Sequence, residues 1–323
     1  MSVFVALALV ITLFLPVTSA VAEALVEAPG PYGPLKGTML AAANSGAPVV
    51  LIIPGSGPTD RDGNSPLGVS ASTYRLVAEG LAENGITSVR IDKRGMFASA
   101  LAVADADAVT IADYAADVQS WIATIRKRTG QRCVWLLGHS EGGLVAEVAA
   151  QHSSDVCGLL LVASPGRPLG QILRAQLKAN PANAPVLAEA VAAIESLEAG
   201  RSVDVTRMHP ALLALFRPSV QKFLMSVFAL DPAELLHGYQ NPILVLYGEY
   251  DLQIDEADAR LLSGANQNAR LVLLPNANHV LKSVATADRA ANIATYADPS
   301  LPLAPGVIET IVQFVATEAS KIR

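Results

Sequence analysis

Residues 133–150 read CVWLLGHSEGGLVAEVAA. An apolar run typical of a buried strand ends in Gly138-His139-Ser140-Glu141-Gly142, and a helix-like segment starts at once. A serine placed there stands on a sharp turn whose backbone presses against the neighbouring strand and helix. Residues without Cβ make that approach possible. The strand–turn–helix context is what gives G-x-S-x-G a chemical meaning, because it raises the serine hydroxyl above the sheet. The helix beginning at Glu141 aims its free N–H groups at the same point, where they would stabilise developing negative charge. The plainer alternative is a glycine-rich turn carrying an incidental serine.

Outward from this stretch, short apolar runs alternate with longer amphipathic ones. VVLII (49–53), a Gly/Pro/Asp loop, YRLVAEGLAENG, ITSVRID, IADYAADVQSWIATIRKRTG, CVWLLGH and GLLLVAS (158–164) follow in order. Alternating strand and helix periods predict βαβ units and a mostly parallel sheet. Strands that are apolar throughout predict helices on both faces. Residues 167–240 instead carry only helical runs, broken at Asn180-Pro181, Gly200, Pro210 and Pro218, which predicts a helical cap inserted between core segments 23–166 and 241–323. The rhythm resumes with NPILVLYGEYD (241–251), a short helix near 255–263, ARLVLLP (269–275) and a terminal amphipathic helix from about 306.

Composition narrows the function classes. The chain has 323 residues, 51% of them hydrophobic and 16% charged, with a net charge of −6. No basic stretch alternates with aromatics, so a nucleic-acid partner is not expected. Residues 1–22 carry no charged side chain and end in Ala20-Val21-Ala22, which predicts an export signal cleaved near Glu23 and a periplasmic or secreted protein. If retained, the same run is long enough to anchor the chain in a membrane. The two cysteines, Cys133 and Cys157, open neighbouring predicted strands. They read equally as an export-compatible disulfide or as two small buried hydrophobes. Neither fits a metal-ligand pattern, and no Walker-type phosphate loop occurs, so neither metal nor cofactor is expected.

A serine hydroxyl needs a base to take its proton. Of the five histidines, His139 flanks the serine inside the turn and is expected to project away from it, and His152 falls on the following helix. His209 and His237 fall in the cap or its exit. His279, in the loop after LVLLP, is the candidate base. A base in turn needs a carboxylate to fix its tautomer. Asp251, after the strand ILVLY, is the candidate, and its rival Asp255 reads better as a helix N-cap. The loop IIPGSGPTDRDGN (52–64) leaves the first long strand where a second oxyanion donor belongs, so the backbone N–H groups of Ser56 and Glu141 are the candidate oxyanion hole.

The chain resembles the α/β-hydrolase superfamily, in its branch of exported bacterial esterases and serine-aminopeptidase-like hydrolases. The resemblance rests on PLKGTML (34–40), PGSGPTDRDGN (54–64), RIDKRG (90–95), GHSEGG (138–143), GEYD (248–251) and NANHVLK (276–282). The order Ser140, Asp251, His279 is the order of that superfamily. Pro54-Gly55 stands where relatives often have His-Gly. The resemblance implies that Asp60, Arg61, Asp62, Asp92 and Arg94 brace the loops beside the oxyanion hole; as plain residues they also read as turn formers and surface ion pairs.

The expectation is therefore a serine hydrolase of carboxylic esters with short to medium acyl chains, working through Ser140, His279 and Asp251. An amide hydrolase or aminopeptidase on the same residues is the first alternative, and an exported binding protein that kept the fold without catalysis is the second. The cap residues Leu173, Leu177, Leu212, Leu213, Phe216, Phe223, Leu224 and Phe228 would line an apolar wall over Ser140, or else form the cap's own core. Glu189, Glu195, Glu198 and Asp204 are the cap acids available to a substrate amine.

Overall fold

A computed structural model describes residues 23–322 apart from 45, 152 and 287. The predicted export segment and His152 lie outside the described residues. Eight strands form one sheet: β1 (Glu23–Ala28), β2 (Leu35–Leu40), β3 (Val49–Ile53), β4 (Thr87–Ile91), β5 (Val134–His139), β6 (Val156–Val162), β7 (Ile243–Gly248) and β8 (Ala269–Leu274). Their order is β1-β2-β4-β3-β5-β6-β7-β8. The pairings from β4 through β3 to β8 are parallel, and β1 and β2 add an antiparallel edge.

Helices α1 (Thr73–Glu83), α2 (Ile111–Thr129) and α3 (Glu141–Ala150) alternate with the central strands. Between β6 and β7 lie α4 (Leu169–Ala179), α5 (Leu187–Glu198), α6 (Pro210–Phe216), α7 (Pro218–Phe228) and α8 (Pro232–Leu236). After β7 come α9 (Glu256–Ala265), α10 (Arg289–Ala294) and α11 (Val307–Ile322). Local chemistry sets several of these boundaries. Thr110 and Asp113 form a reciprocal capping box at the start of α2, and Gly130, in the left-handed conformation, ends it after Arg126, Lys127 and Arg128.

The apolar strands are filled on both faces. In β3, Val49, Leu51 and Ile53 join one core with Val118 and Trp121 of α2 and Leu144 of α3. Val50 and Ile52 join the other, with Tyr74 and Leu81 of α1 and Ile311 and Phe314 of α11. This is the two-residue period of a strand buried on both sides, and each such aliphatic side chain contributes about 1.5–3 kcal/mol by burial. Cys133 and Cys157 form a disulfide across the starts of β5 and β6, deciding between the two readings of these residues. The helices between β6 and β7 have a core of their own, in which Leu212, Phe216, Leu224 and Phe228 pack on Ala190 and Ile194 of α5.

Candidate active site

The turn between β5 and α3 has the tightness that its glycines imply. A Cβ on Gly138 would collide with the Gly142 carbonyl, and one on Gly142 would collide with the Ile53 carbonyl of β3. Ser140 sits at φ 54°, ψ −125°, a conformation that costs a non-glycine residue about 1–3 kcal/mol. Its N–H donates to the Val162 carbonyl at the end of β6 (2.9 Å), and its carbonyl accepts from Gly143 N–H (2.9 Å). The strained turn is thus fixed from the neighbouring strand and from its own helix.

Asp251 and His279 come together from the loops after β7 and β8. The His279 Nδ1–H donates to Asp251 Oδ2 at 2.7 Å, with both side chains buried. The second Asp251 oxygen accepts from the N–H groups of Gln253 (2.7 Å) and Ile254 (3.0 Å), so the carboxylate is fixed by its own loop. Asp255 caps α9 through the Asp258 N–H and is bound by Arg167. His209 and His237 stand at the ends of α6 and α8.

Ser140 and His279 border one cavity of about 250 Å³ together with Gly55, Ser56, Tyr74 and His139. No hydrogen bond joins the Ser140 hydroxyl to His279 among the described residues, a contact that catalytic pairs commonly tighten only around substrate. The remainder of the lining comes from the 58–73 loop and from Gln253, Val280 and Tyr296, with Leu67, Val69 and Val280 giving an apolar side. None of the lining residues falls within 167–240; of the two readings of the cap's apolar residues, Leu173, Leu177, Leu212, Phe216, Leu224 and Phe228 take the cap's own core, whereas Phe223 packs on the main core and Leu213 is exposed. Two of the four cap acids are engaged elsewhere: Glu198 pairs with Arg174, and Glu189 accepts from the His209 N–H.

The Ser56 N–H has no acceptor among the described residues, and Glu141 opens α3, where the first N–H groups are free of helix partners. Of the residues expected to brace this region, Arg61, Asp62 and Asp92 form ion pairs between the 54–64 loop and the end of β4, whereas Arg94 reaches α2. Arg61 donates twice to the buried Asp92 carboxylate, Arg90 pairs with Asp62 and Glu23, and Arg94 pairs with Asp117 and Asp113. Asp60 instead closes its own turn, accepting from the N–H groups of Asp62 and Asn64.

Three contributions go beyond the sequence reading. His139 does not project away from the site. Its Nε2–H donates to the His279 carbonyl (2.8 Å), and its Nδ1 accepts from the Tyr74 hydroxyl (2.9 Å), which itself accepts from the Gly55 N–H (2.9 Å). Burial and the nearby His279 push the His139 pKa down to about 3, so the ring stays neutral, as this bonding requires. Second, α10 ties the acid and base loops together: Asn292 donates to the Tyr250 carbonyl (2.7 Å) and accepts from Asn278 (3.0 Å), the residues preceding Asp251 and His279. Third, Lys93 reaches under the turn to the Gly55 carbonyl. A run of charged residues, Arg90, Asp92, Lys93 and Arg94, at the end of a buried strand of the sheet that carries Ser140 is the signal that would have found Lys93. Nothing local marks Asn292, because its partners are distant in sequence. Among the described residues, no group of three His, Cys, Asp or Glu side chains is placed to hold a metal ion.

Comparison with known proteins agrees with this architecture. The family model described as serine aminopeptidase, S33, matches residues 67–283. Esterase EstD of Thermotoga maritima is 27% identical over 244 residues, covering 73% of this chain and 55% of that protein. The chain thus spans about half the length of that curated relative. Among solved structures, the Pyrococcus furiosus esterase Pf2001 aligns with TM-score 0.59 at 13% identity, covering 96% of each chain. Est1E from Butyrivibrio proteoclasticus aligns with TM-score 0.56 at 14% identity, covering 92% of this chain and 99% of that one. These likenesses show the shared fold.

Proposed function

Because the chain belongs to the serine aminopeptidase S33 family of α/β-hydrolases, we propose that it is a serine hydrolase cleaving short-chain carboxylic esters. The observation that carries this reading is the lining of the Ser140 cavity. It joins a serine, a carboxylate-held histidine and an apolar side of Leu67, Val69 and Val280, and none of its lining residues is Asp or Glu. A peptide α-amine would need such a carboxylate. An uncharged acyl group of a few carbons suits the small apolar side, and the resemblance to Esterase EstD supports the same choice.

In this reading Ser140 Oγ attacks the acyl carbon while His279 Nε2 takes its proton. Asp251, on the other ring nitrogen, holds the tautomer and stabilises the imidazolium. The oxyanion is received by the N–H groups of Ser56 and Glu141. His279 then gives the proton to the departing alcohol, and water, activated by the same ring, releases the acid from the acyl-enzyme. We place the enzyme outside the cytoplasm, and the Cys133–Cys157 disulfide supports an oxidising compartment.

The test is an assay of p-nitrophenyl esters graded from two to twelve acyl carbons beside aminoacyl-naphthylamides, with fluorophosphonate labelling of the wild type and Ser140→Ala. Hydrolysis strongest at the short esters, with labelling lost in Ser140→Ala, is expected. Faster turnover of the aminoacyl amides sinks the ester reading, and a folded wild type that resists labelling sinks the hydrolase reading altogether.

A further inference from the structure

We propose that Lys93 is the positioning residue of the oxyanion hole, a single ammonium that acts on both of its backbone donors. The inference rests on the serine-hydrolase reading above. Lys93 lies two residues past the end of β4, and its side chain enters the sheet end between the 54–64 loop and the start of α3. Its Nζ donates to the Gly55 carbonyl at 2.6 Å. That carbonyl belongs to the same peptide group as the Ser56 N–H. In a trans peptide the two point opposite ways, so drawing the carbonyl inward turns the N–H outward. The preceding Gly55 N–H is held by the Tyr74 hydroxyl at 2.9 Å. The peptide therefore has an anchor on each side of Gly55, and the cation, by polarising the C=O, strengthens the N–H as a donor.

The second donor is reached through Glu141. Its Oε1 lies 3.6 Å from Lys93 Nζ and has no hydrogen-bond partner. Lys93 is 5% exposed and Glu141 8%, so this is an ion pair taken out of water. The Tyr114 ring, 5.4 Å from the ammonium, is its remaining neighbour of note. An isolated buried pair of this kind contributes little net stability. Its position is what gives it a use. The Glu141 backbone supplies the other candidate oxyanion donor, and an unneutralised carboxylate on that same residue would oppose charge developing on the substrate oxygen. Lys93 removes that opposition. Burial holds the Glu141 carboxyl above its ordinary range and the Lys93 ammonium below its own, each partly offset by the other's charge. The pair is thus interdependent.

The experiment compares wild type, Lys93→Met, Lys93→Gln and the double variant Lys93→Met/Glu141→Gln on a short p-nitrophenyl ester and on a trifluoromethyl ketone of matching chain length. The ketone forms a tetrahedral adduct with the serine and so reports the oxyanion hole. Circular dichroism and thermal melts score folding. Wild-type turnover is the condition that separates the two ideas: a wild type that neither turns over ester nor forms the adduct overturns the hydrolase reading, and this proposal with it.

With an active wild type, Lys93→Met is expected to lower kcat by about thirty-fold with KM within two- to three-fold, and to weaken the ketone by the same factor. The deficit should deepen as pH rises and the stranded Glu141 ionises. Lys93→Gln, which keeps a donor to Gly55 but no charge, should fall between. The double variant should recover several-fold relative to Lys93→Met and lose the added pH dependence. A folded Lys93 variant with wild-type kcat overturns the proposal, as does a fall in kcat that leaves the ketone affinity unchanged or a double variant that recovers nothing. A lysine whose every replacement unfolds the chain is structural, and that outcome overturns it equally.

Discussion

Tyr74→Phe removes one oxygen from the relay that joins the loop carrying Ser56 to the His279 loop, and its consequences follow from the two hydrogen bonds which that oxygen makes. The ring stays, packed edge-on to His139 with centroids 5.4 Å apart. Two buried partners lose a bond: the Gly55 N–H and His139 Nδ1, each 2.9 Å from the hydroxyl. A buried polar group left unsatisfied costs about 1–3 kcal/mol. Gly55, Tyr74 and His139 all border the cavity, so water can take part of the vacated place and hold each cost near the low end. The sum is about 2–3 kcal/mol. Since a domain is stable by about 5–15 kcal/mol, the variant should remain folded. Loss of a whole oxyanion donor typically costs about 10²-fold in kcat. Here the Gly55–Ser56 peptide keeps its Lys93 anchor, so a drop of about ten-fold is expected. Urea unfolding should show a lower midpoint at unchanged slope, and steady-state hydrolysis of a short p-nitrophenyl ester should show the loss in kcat with KM little altered. A variant with wild-type midpoint and wild-type kcat would refute the relay as a support of the site.

Two further outcomes follow from buried groups away from the cavity. Glu147 on α3 is fully buried, with neither carboxyl oxygen partnered among the described residues; burial first, then the Asp231 charge, holds its pKa well above the ordinary carboxylate range. The native chain then keeps a proton that the unfolded chain releases, so this contribution is present in acid and lost as pH rises, at about 1.4 kcal/mol per pH unit while only the unfolded form is ionised. Glu147→Gln should match wild type near pH 4 and exceed it in urea midpoint by pH 8; parallel profiles would remove Glu147 as the cause. The Cys133–Cys157 bridge closes a separation of 24 residues, which in the chain-entropy account contributes about 3.5 kcal/mol. Reducing it, or replacing both cysteines by serine, should lower the unfolding midpoint accordingly. Because it joins the strand starts, away from the Ser140 end, kcat of the folded variant should stay unchanged, and a lost kcat would contradict this separation of roles.

How much of this was legible in sequence depended on how local the cause was. The central strands were readable because both their faces are buried, which leaves continuous apolar runs such as VVLII and CVWLL. The helices α2 and α9 announce themselves through their caps and amphipathic periods. The β1–β2 edge was not read as strands, because EALVEA and LKGTML mix charge and glycine into their runs and are defined by pairing. Of the site, Ser140, Asp251 and His279 could be named because each follows a readable strand. The supports could not: Tyr74 looks like an ordinary first-turn residue of α1, and Asn292 acquires its role only when α10 meets the loops after β7 and β8. The apolar residues of the cap left two readings open. Apolar residues at helical spacing fill a helical core as readily as they line a cavity, and here the cavity wall comes from the 58–73 loop instead.

Charge is concentrated where the site needs it. Only 16% of the residues are charged, yet Arg90, Asp92, Lys93 and Arg94 stand almost consecutively at the end of β4 and all four are buried. Three of them reach the 54–64 loop, Arg90 through Asp62, Asp92 through Arg61 and Lys93 through Gly55, while Arg90 also meets Glu23, Lys93 also meets Glu141 and Arg94 meets Asp117 of α2. Apolar residues would hold a sheet end together at no desolvation cost, so buried pairs add little to stability there, while removing one partner of such a pair costs about 3–5 kcal/mol. What ion pairs supply and apolar packing does not is direction, since each fixes one loop at one distance and angle. The segments so fixed include the loop that carries Ser56, the turn that begins α3 at Glu141 and, through Arg94, the helix α2. In the proposed reading the end of β4 therefore acts as a frame for the candidate oxyanion donors, and its variants should lose turnover more steeply than substrate binding.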